Sequence, residues 1–412
     1  MTNVSPPTPE RLHALDAVRG FALLLGIVFH ACVSFIPSPA PIWPVADSHR
    51  SDAMAALFFA THVFRMTTFF LIAGFFAHMS FHRRDARAFI GDRLKRIAVP
   101  LAVGWPILFA AIAAVAIWAG GVPLKGHAPA WPRFPGFPLT HLWFLYVLLE
   151  FYAAVLILRS LVAAIDRSGR LRGGLDRLIA AAIHSALAPF NLAAPVFVAF
   201  VADPQWLMWF GVPGPDASLV TNSLALTGYG AAFGFGWLLH RQTDLLQAIE
   251  RRWALNLLLA TGLIGASLAF VGVEPRLTPF ADPTSHLIGA AAYAAATWTA
   301  TFAAIGLALR FLADYSPTRR YIADASYWLY LIHLPIVMAL QAAVAGLDWP
   351  WPVKFAAILA IAFPMMFASY QLLVRHSFIG AVLNGRRERR ANDRTLPRTG
   401  RTAYPGRAVE SA

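Results

Sequence analysis

Ten apolar runs, each close in length to a membrane-spanning helix, divide this sequence. Their predicted bounds are 14–36, 55–80, 97–119, 140–162, 178–200, 219–240, 253–273, 286–311, 322–345 and 353–375. About 20 apolar residues cross the hydrocarbon core as a helix, whereas a spanning β-barrel would show short segments of alternating hydrophobicity. Charged residues make up only 13% of the chain, compared with about 25% in soluble domains. We therefore expect an all-α, polytopic integral membrane protein with about ten transmembrane helices.

Positive charge alternates between successive loops. Arginine and lysine concentrate at 81–96, 163–177, 241–252 and 310–321 and again after residue 385, while the intervening loops hold few of them. Cytoplasmic loops carry this excess in membrane proteins, so the pattern predicts that both termini are cytoplasmic. Because the basic residues follow the loops, the net charge of +13 favours membrane lipids rather than nucleic acid as the partner.

Three parts of the chain are expected to differ in order. Residues 1–12 form a cytoplasmic N-terminal tail, 13–376 the transmembrane domain, and 377–412 a basic cytoplasmic tail that we expect to be disordered. The Pro-, Gly- and Trp-rich segment 120–139 predicts an ordered cap on the outer face. The first apolar run contains charges, unlike a cleavable signal peptide. Cys32 is the single cysteine, so a cysteine-rich metal site is excluded and no metal is expected.

The first predicted helix carries three ionisable residues, Asp16, Arg19 and His30. A charged side chain at the centre of a spanning helix costs roughly 2.5–3.5 kcal/mol, so such residues usually face a cavity or a protein partner. Arg19 and His30 are eleven residues apart, about three turns, so they lie on one face together with Asp16. His30 is a candidate general base. Asp16 and Arg19 either belong to the same site or pair with each other at the cytoplasmic interface.

Two arginines, Arg93 and Arg96, share a helical face where the third span begins. They are either a membrane-interface anchor or a clamp for the phosphates of a donor such as coenzyme A, because guanidinium groups match phosphate oxygens.

The second span contains His62 and Arg65, and an arginine about ten residues into a span must be paired or hydrated. Glu150, midway along the fourth span, is a candidate partner for Arg65. If Arg65 is not paired by the protein, it is a candidate partner for the carboxylate of a substrate.

Further aromatic and polar residues lie in the fourth and ninth spans. His141 and Trp143 are either anchors at the outer membrane interface or part of a substrate site. Tyr330 belongs to an aromatic stripe that either packs between helices or contacts substrate. His333 is expected at about the same membrane depth as His30, because each lies about eleven residues from the cytoplasmic end of its helix.

These segments form an ordered set of motifs. In chain order they are Leu15-Asp16-Ala17-Val18-Arg19-Gly20 followed by His30, Phe69-Phe70-Leu71-Ile72-Ala73-Gly74-Phe75, the Arg93/Arg96 pair, the His-Leu-Trp-Phe-Leu segment that begins at His141, and the Tyr-Trp-Leu-Tyr-Leu-Ile-His segment that ends at His333. The set resembles transmembrane acyltransferase family 3, and Ala73 stands where that family usually has serine. The resemblance extends over about residues 12–375 and is greatest to the branch of the family associated with periplasmic glucans.

The resemblance implies a multi-pass O-acyltransferase of the bacterial inner membrane. The donor would be cytoplasmic acyl-CoA, either acetyl-CoA or succinyl-CoA, and the acceptor a hydroxyl of a periplasmic glucan or surface carbohydrate. In this interpretation His30 is the base or carries the acyl group briefly, Asp16 and Arg19 orient the donor, and Arg93 and Arg96 hold its nucleotide.

Two other functions would also account for parts of the sequence. A transporter or flippase of a carbohydrate or anionic substrate would also have buried charges at mid-membrane, although no inverted repeat is visible in this sequence. A lipid-binding scaffold held by the basic tail would leave the histidines within the spans unexplained.

Overall fold

A computed structural model describes residues 9–38, 42–120 and 132–385, with side chains from residue 13 onward. Within these ranges the chain forms α-helices and short 3₁₀ or π segments, together with an isolated antiparallel bridge between Gly136 and Ser218. Most of the predicted outer cap, most of the basic tail and residues 1–8 lie outside the described residues.

The described chain contains fourteen α-helices. Their bounds are α1 Pro9–Cys32, α2 Asp52–His82, α3 Ala86–Arg93, α4 Val99–Trp118, α5 Trp143–Ile165, α6 Arg170–His184, α7 Ala188–Ala202, α8 Ser223–Leu239, α9 Leu245–Arg251, α10 Trp253–Val271, α11 Pro283–Phe311, α12 Pro317–Ala345, α13 Trp351–Ser369 and α14 Phe378–Asn384. Helices α3 and α4 are joined by a π segment at Leu94–Ala98 into one helical rod. A second π segment, Tyr370–Val374, extends α13.

Eight helical segments of the described chain are long and apolar enough to cross a membrane, and they match eight of the ten predicted spans. A ninth predicted span, 219–240, corresponds to α8. This helix has 17 residues, about 26 Å, and is therefore shorter than the other spans. The all-α polytopic prediction is confirmed.

The predicted span 178–200 is wrong as a single helix. It contains the end of α6 and most of α7, which meet at an angle of 112°. Ser185 is extended and Pro189 lies in the first turn of α7, so the backbone leaves the helix between them. Arg252 stabilises the break by donating hydrogen bonds to the carbonyl oxygens of Ile183, His184 and Ser185.

Contacts near both ends of α1 define its direction relative to α12 and α2. Helices α1 and α12 run parallel, because Gly20 packs on Ala323 near one end and the His30 carbonyl binds Gln341 near the other. Helix α2 runs the opposite way to α1, since Phe29 stacks on Phe58 whereas Arg19 lies over Phe76.

Helices α2 and α8 approach each other closely through glycine. A Cβ atom at Gly74 would collide with the Phe233 carbonyl, and one at Gly236 would collide with the Leu71 carbonyl. Small residues at such contacts let two backbones touch and give tight helix packing without a hydrophobic driving force. The glycine of the Phe69–Phe75 motif is therefore a packing residue that fixes α2 beside α8.

The beginning of the predicted disordered tail is folded. Residues Phe378–Asn384 form α14, Asn384 Nδ2 donates to the Asp324 carbonyl at 3.1 Å, and Gly385 packs directly on Arg96. These contacts hold α14 against α12 and the π segment Leu94–Ala98.

Candidate active site

A cavity of about 800 Å³ lies between α1, α2, α5, α8 and α12. Its wall extends from loop residues such as Asp203 and Leu277 to Ala22 and Phe69 within the helices. Four histidines and one arginine converge on it: His30, His62, His141, His333 and Arg65. Such a concave, mostly apolar space with a few convergent polar groups is the usual form of a small-molecule site.

His30 lies in the last turn of α1 and is surrounded by rings. The ring centroid of His333 is 5.1 Å away, that of Phe29 5.0 Å and that of Trp43 5.6 Å. Within the described residues, His30 Nδ1 is buried without a hydrogen-bond partner. The expectation that His30 and His333 lie at similar depth is confirmed by their ring contact.

The hydrogen-bond partners of His333, His141 and His62 determine which ring nitrogen carries the proton in each of these residues. A carbonyl oxygen only accepts, so His333 Nδ1 donates to Tyr330 O at 2.6 Å and His141 Nε2 donates to Leu331 O at 2.9 Å. His62 Nε2 likewise donates to Phe210 O at 2.6 Å. The opposite nitrogens of neutral His333 and His62 therefore carry lone pairs, and neither has a partner among the described residues.

Tyr330 joins the two helices that carry His141 and His333. Its hydroxyl donates to the His141 carbonyl at 2.7 Å, and its ring lines the cavity. Tyr330 therefore packs between these two segments and also faces the cavity.

Arg65 lies across the cavity wall with its guanidinium carbon 3.9 Å from the centre of the Phe29 ring. Its Nε and Nη1 atoms are buried and have no hydrogen-bond partner in the described chain. The predicted Arg65–Glu150 pair is wrong. The Glu150 carboxylate instead accepts a hydrogen bond of 2.6 Å from Thr221 Oγ1, in the loop that precedes α8.

Buried polar atoms without partners are concentrated in this cavity. Ten buried side-chain nitrogen and oxygen atoms lack a partner in the described residues, and five of them belong to His30, His62, Arg65 and His333. Buried polar groups are nearly always hydrogen-bonded in folded proteins. The unpartnered atoms in the cavity are therefore available to form hydrogen bonds with a polar ligand.

The interpretation of His141 and Trp143 as interface anchors is wrong. His141 is buried, and Trp143 lines the cavity and stacks on Tyr229 at 5.6 Å. Gly214 lies so close to the Trp143 indole that a Cβ there would be 2.7 Å from the ring. Trp143 is thus held between a loop and α8 rather than at a lipid boundary.

Asp16 and Arg19 do not line the cavity. They form an ion pair of 3.1 Å, and Asp16 also binds Arg320 at 3.3 Å. Of the two alternatives for this pair, the ion pair is present, and about three turns of α1 separate it from the histidine cluster.

Arg93 and Arg96 converge on one carboxylate. Arg93 Nη2 and Arg96 Nε each lie 3.0 Å from an Asp92 oxygen, and Arg84 binds the same group at 2.8 Å. Three guanidinium groups around one carboxylate leave a net positive cluster, which we call the basic cluster.

The basic cluster is linked to the cavity through α12. Tyr327 donates to the Arg96 carbonyl at 2.6 Å and precedes His333 by six residues, about 9 Å along the helix.

Several residues at the site were not predicted from sequence. Trp43 from the α1–α2 loop and Gln341 from α12 contact His30, and the loop 203–216 forms part of the cavity wall. The dense Trp, Gly and Pro content of that loop is a signal that could have marked it as an ordered segment. No group of three or more potential metal ligands was found among the described residues.

The comparisons with known proteins identify residues 12–371 as an acyltransferase domain. Relatives include glucans biosynthesis protein C from Escherichia coli O6:K15:H31 (strain 536 / UPEC), from E. coli strain SMS-3-5 / SECEC and from E. coli strain K12, each 30% identical over 154 residues. The aligned stretch covers 35% of this chain and 38% of each relative's length. No solved structure matches the chain.

The family match extends over nearly the whole chain, and the resemblance inferred from the motifs is confirmed. The structure supplies the multi-pass helical architecture that a membrane enzyme needs. The chain therefore belongs to this acyltransferase family.

Proposed function

We propose that the protein transfers an acetyl or succinyl group from cytoplasmic acyl-CoA to a hydroxyl of an extracytoplasmic carbohydrate such as a periplasmic glucan. The observation that carries the proposal is the contact of His30 with His333, each bearing an unpartnered ring nitrogen, in a cavity of about 800 Å³. The name of the relatives, glucans biosynthesis protein C, supports a glucan as the acceptor. The positive-inside pattern supports a cytoplasmic basic cluster and an inner-membrane location.

Acyl transfer to a hydroxyl requires a base at the acceptor oxygen. His30 takes the hydroxyl proton as this oxygen attacks the thioester carbonyl, the carbon–sulfur bond breaks, and the proton passes to the departing sulfur. In a second route, His30 attacks the thioester carbonyl and takes the acyl group as the coenzyme A thiolate leaves. The acceptor hydroxyl then attacks this acyl group and displaces His30, while its proton passes to His333. The lone pair of His333 Nε2 can hold the transferred proton, because its other nitrogen is fixed as a donor to Tyr330 O.

Arg65 provides the positive charge of the cavity. It faces no carboxylate among the described residues, so a negative group of the substrate is its natural partner. That group is either the terminal carboxylate of a succinyl chain or the carbonyl oxygen that becomes negative during transfer. His62, His141, Trp143 and Tyr330 complete the wall that the acceptor would contact.

The basic cluster holds the phosphate groups of the donor in this proposal. Arg93 Nε is buried and lacks a partner in the described chain, although the Arg93 Nη2 atom binds both Ser80 and Asp92. A donor phosphate would complete this set of hydrogen bonds, since guanidinium groups bind phosphate through two parallel bonds. Arg19 lies close enough to Arg96 for electrostatic repulsion. Arg19 and its ion-pair partner Asp16 would orient the donor at this same end.

The proposal is tested with purified protein in detergent, labelled acetyl-CoA or succinyl-CoA, and a glucan acceptor. Wild-type protein should release coenzyme A and label the glucan, while His30→Ala, folded and inserted normally, should do neither. Full activity of His30→Ala would refute the mechanism. Movement of glucan across proteoliposomes without label transfer would instead identify a transporter or flippase.

A further inference from the structure

A buried amide on α12 ties the loop after α1 to the helix that carries His30. Gln341 is fully buried, and its Oε1 accepts a hydrogen bond from Trp43 Nε1 at 2.9 Å. Its Nε2 donates to the carbonyl oxygens of His30 at 2.8 Å and Ala31 at 3.2 Å. One side chain thus contacts the loop and the last turn of α1 at the same time.

The side-chain amide of Gln341 uses both of its N–H donors in these hydrogen bonds. The carbonyls of His30 and Ala31 lie in the last turn of α1, which ends at Cys32, where helix carbonyls lack intrahelical partners. An amide offers two N–H donors and one acceptor oxygen, which match these two carbonyls and the Trp43 indole. A residue that only packed between helices would not need this complement of donor and acceptor.

The orientation of the His30 ring depends on Trp43. A catalytic base is commonly oriented by a hydrogen bond to its second nitrogen, but His30 Nδ1 has no such partner in the described chain. Its ring is instead stacked on Trp43, with an angle of 25° between the planes and 5.6 Å between the centroids. Phe29 presents its edge to the same ring at 5.0 Å. Aromatic contacts therefore replace the orienting hydrogen bond.

We propose that Gln341 is a positioning residue that sets the orientation of the His30 imidazole by holding Trp43 against it. The proposal rests on the proposed function, in which His30 is the base. Gln341 itself acts through Trp43 and the α1 terminus, since it does not line the cavity. Its loss should lower the rate of transfer more than it weakens substrate binding.

The first experiment measures kcat and KM for both substrates in Gln341→Leu. We expect kcat to fall by about 10- to 100-fold, as is typical when a residue that orients a functional histidine is removed, with each KM within about twofold of wild type. Trp105→Phe is the matched control, because it removes a similar indole hydrogen bond, 2.8 Å to Pro138 O, from a tryptophan outside the cavity. The control should keep its kcat.

A second variant keeps the proposal testable if Gln341→Leu folds poorly. Trp43→Phe retains an aromatic ring but loses the indole N–H that donates to Gln341. It should therefore lower kcat although Gln341 is still present. Because both residues act through one contact, adding Gln341→Leu to Trp43→Phe should reduce kcat by much less than the product of the two single effects. Multiplicative effects would overturn the proposal.

The outcome also separates this inference from the proposed function. If His30→Ala abolishes transfer while folded Gln341→Leu behaves like Trp105→Phe, Gln341 is a structural residue and the base assignment stands. If His30→Ala is fully active, the proposed function fails, whatever Gln341→Leu does.

Discussion

The buried ion pair between Lys354 and Asp47 allows a quantitative test of how the α1–α2 loop is held. Lys354 Nζ lies 2.9 Å from both carboxylate oxygens, and the exposed fractions of the two side chains are 0% and 2%. Replacing lysine by methionine removes one charge and leaves the other buried. Among the residues that the structure describes, the Asp47 carboxylate would keep the backbone N–H of His49 at 2.8 Å and the His49 ring at 3.8 Å.

A buried charge that loses its partner costs about 3–5 kcal/mol, whereas removing both charges together is often nearly neutral. We therefore expect Lys354→Met to lower the free energy of unfolding by about 3–5 kcal/mol. Adding Asp47→Asn should recover most of this loss, because the asparagine oxygen still accepts from the His49 backbone without a charge.

The assay is unfolding of the purified protein in mixed micelles with increasing denaturing detergent, monitored by tryptophan fluorescence. Exposed Lys95→Met, which removes a lysine from the surface, is the control and should be close to wild type. If the double variant were as unstable as Lys354→Met, the cost would come from lost packing rather than from an unpaired charge, and the electrostatic reasoning would be refuted.

Three further outcomes are expected. His30→Ala should reduce transfer by at least about 100-fold while its level in the membrane stays normal, measured by labelled product and immunoblot. The double variant Arg93→Gln and Arg96→Gln should have a higher KM for acyl-CoA with little change in kcat. An unchanged KM would refute the proposal that the basic cluster binds the donor. Hydrogen bonds from Arg172 hold the pKa of Asp166 below its ordinary value. The stability that Asp166 contributes should therefore be fully present above about pH 4 and lost as the pH falls below it, so Asp166→Asn should unfold at a lower temperature than wild type at neutral pH, and this difference should shrink as the pH falls below about 4.

Hydropathy predicted the spans where one uninterrupted apolar helix crosses the bundle, and failed where a distant residue stabilises a break. The window 178–200 is apolar enough for a span, but its helix is interrupted at Ser185 and the exposed carbonyls bind Arg252. That arginine is 67 residues further along the chain than Ser185. A local pattern carries no information about such a contact.

The candidate site was predictable where helical geometry alone decides position. The rise of a helix placed His30 and His333 at one depth, and their rings are in contact. Helix rotation, by contrast, is set by packing, and for this reason the expected Arg65–Glu150 pair was wrong. Gln341 was not predicted because a lone amide in a span has no motif, and its partner Trp43 is 298 residues away.

Because backbone carbonyls fix which ring nitrogen of His62 and His333 carries the proton, the cavity distinguishes hydrogen-bond donors from acceptors. The N–H groups of His62 and His333 donate to backbone carbonyls, so the neutral rings present only lone pairs to a ligand. A hydroxyl can satisfy them, but an ether oxygen cannot. In the proposed function, carbohydrate hydroxyls would donate to these two nitrogens, so an acceptor O-methylated at one such position would leave one buried lone pair unmatched and would bind more weakly by about 1–3 kcal/mol.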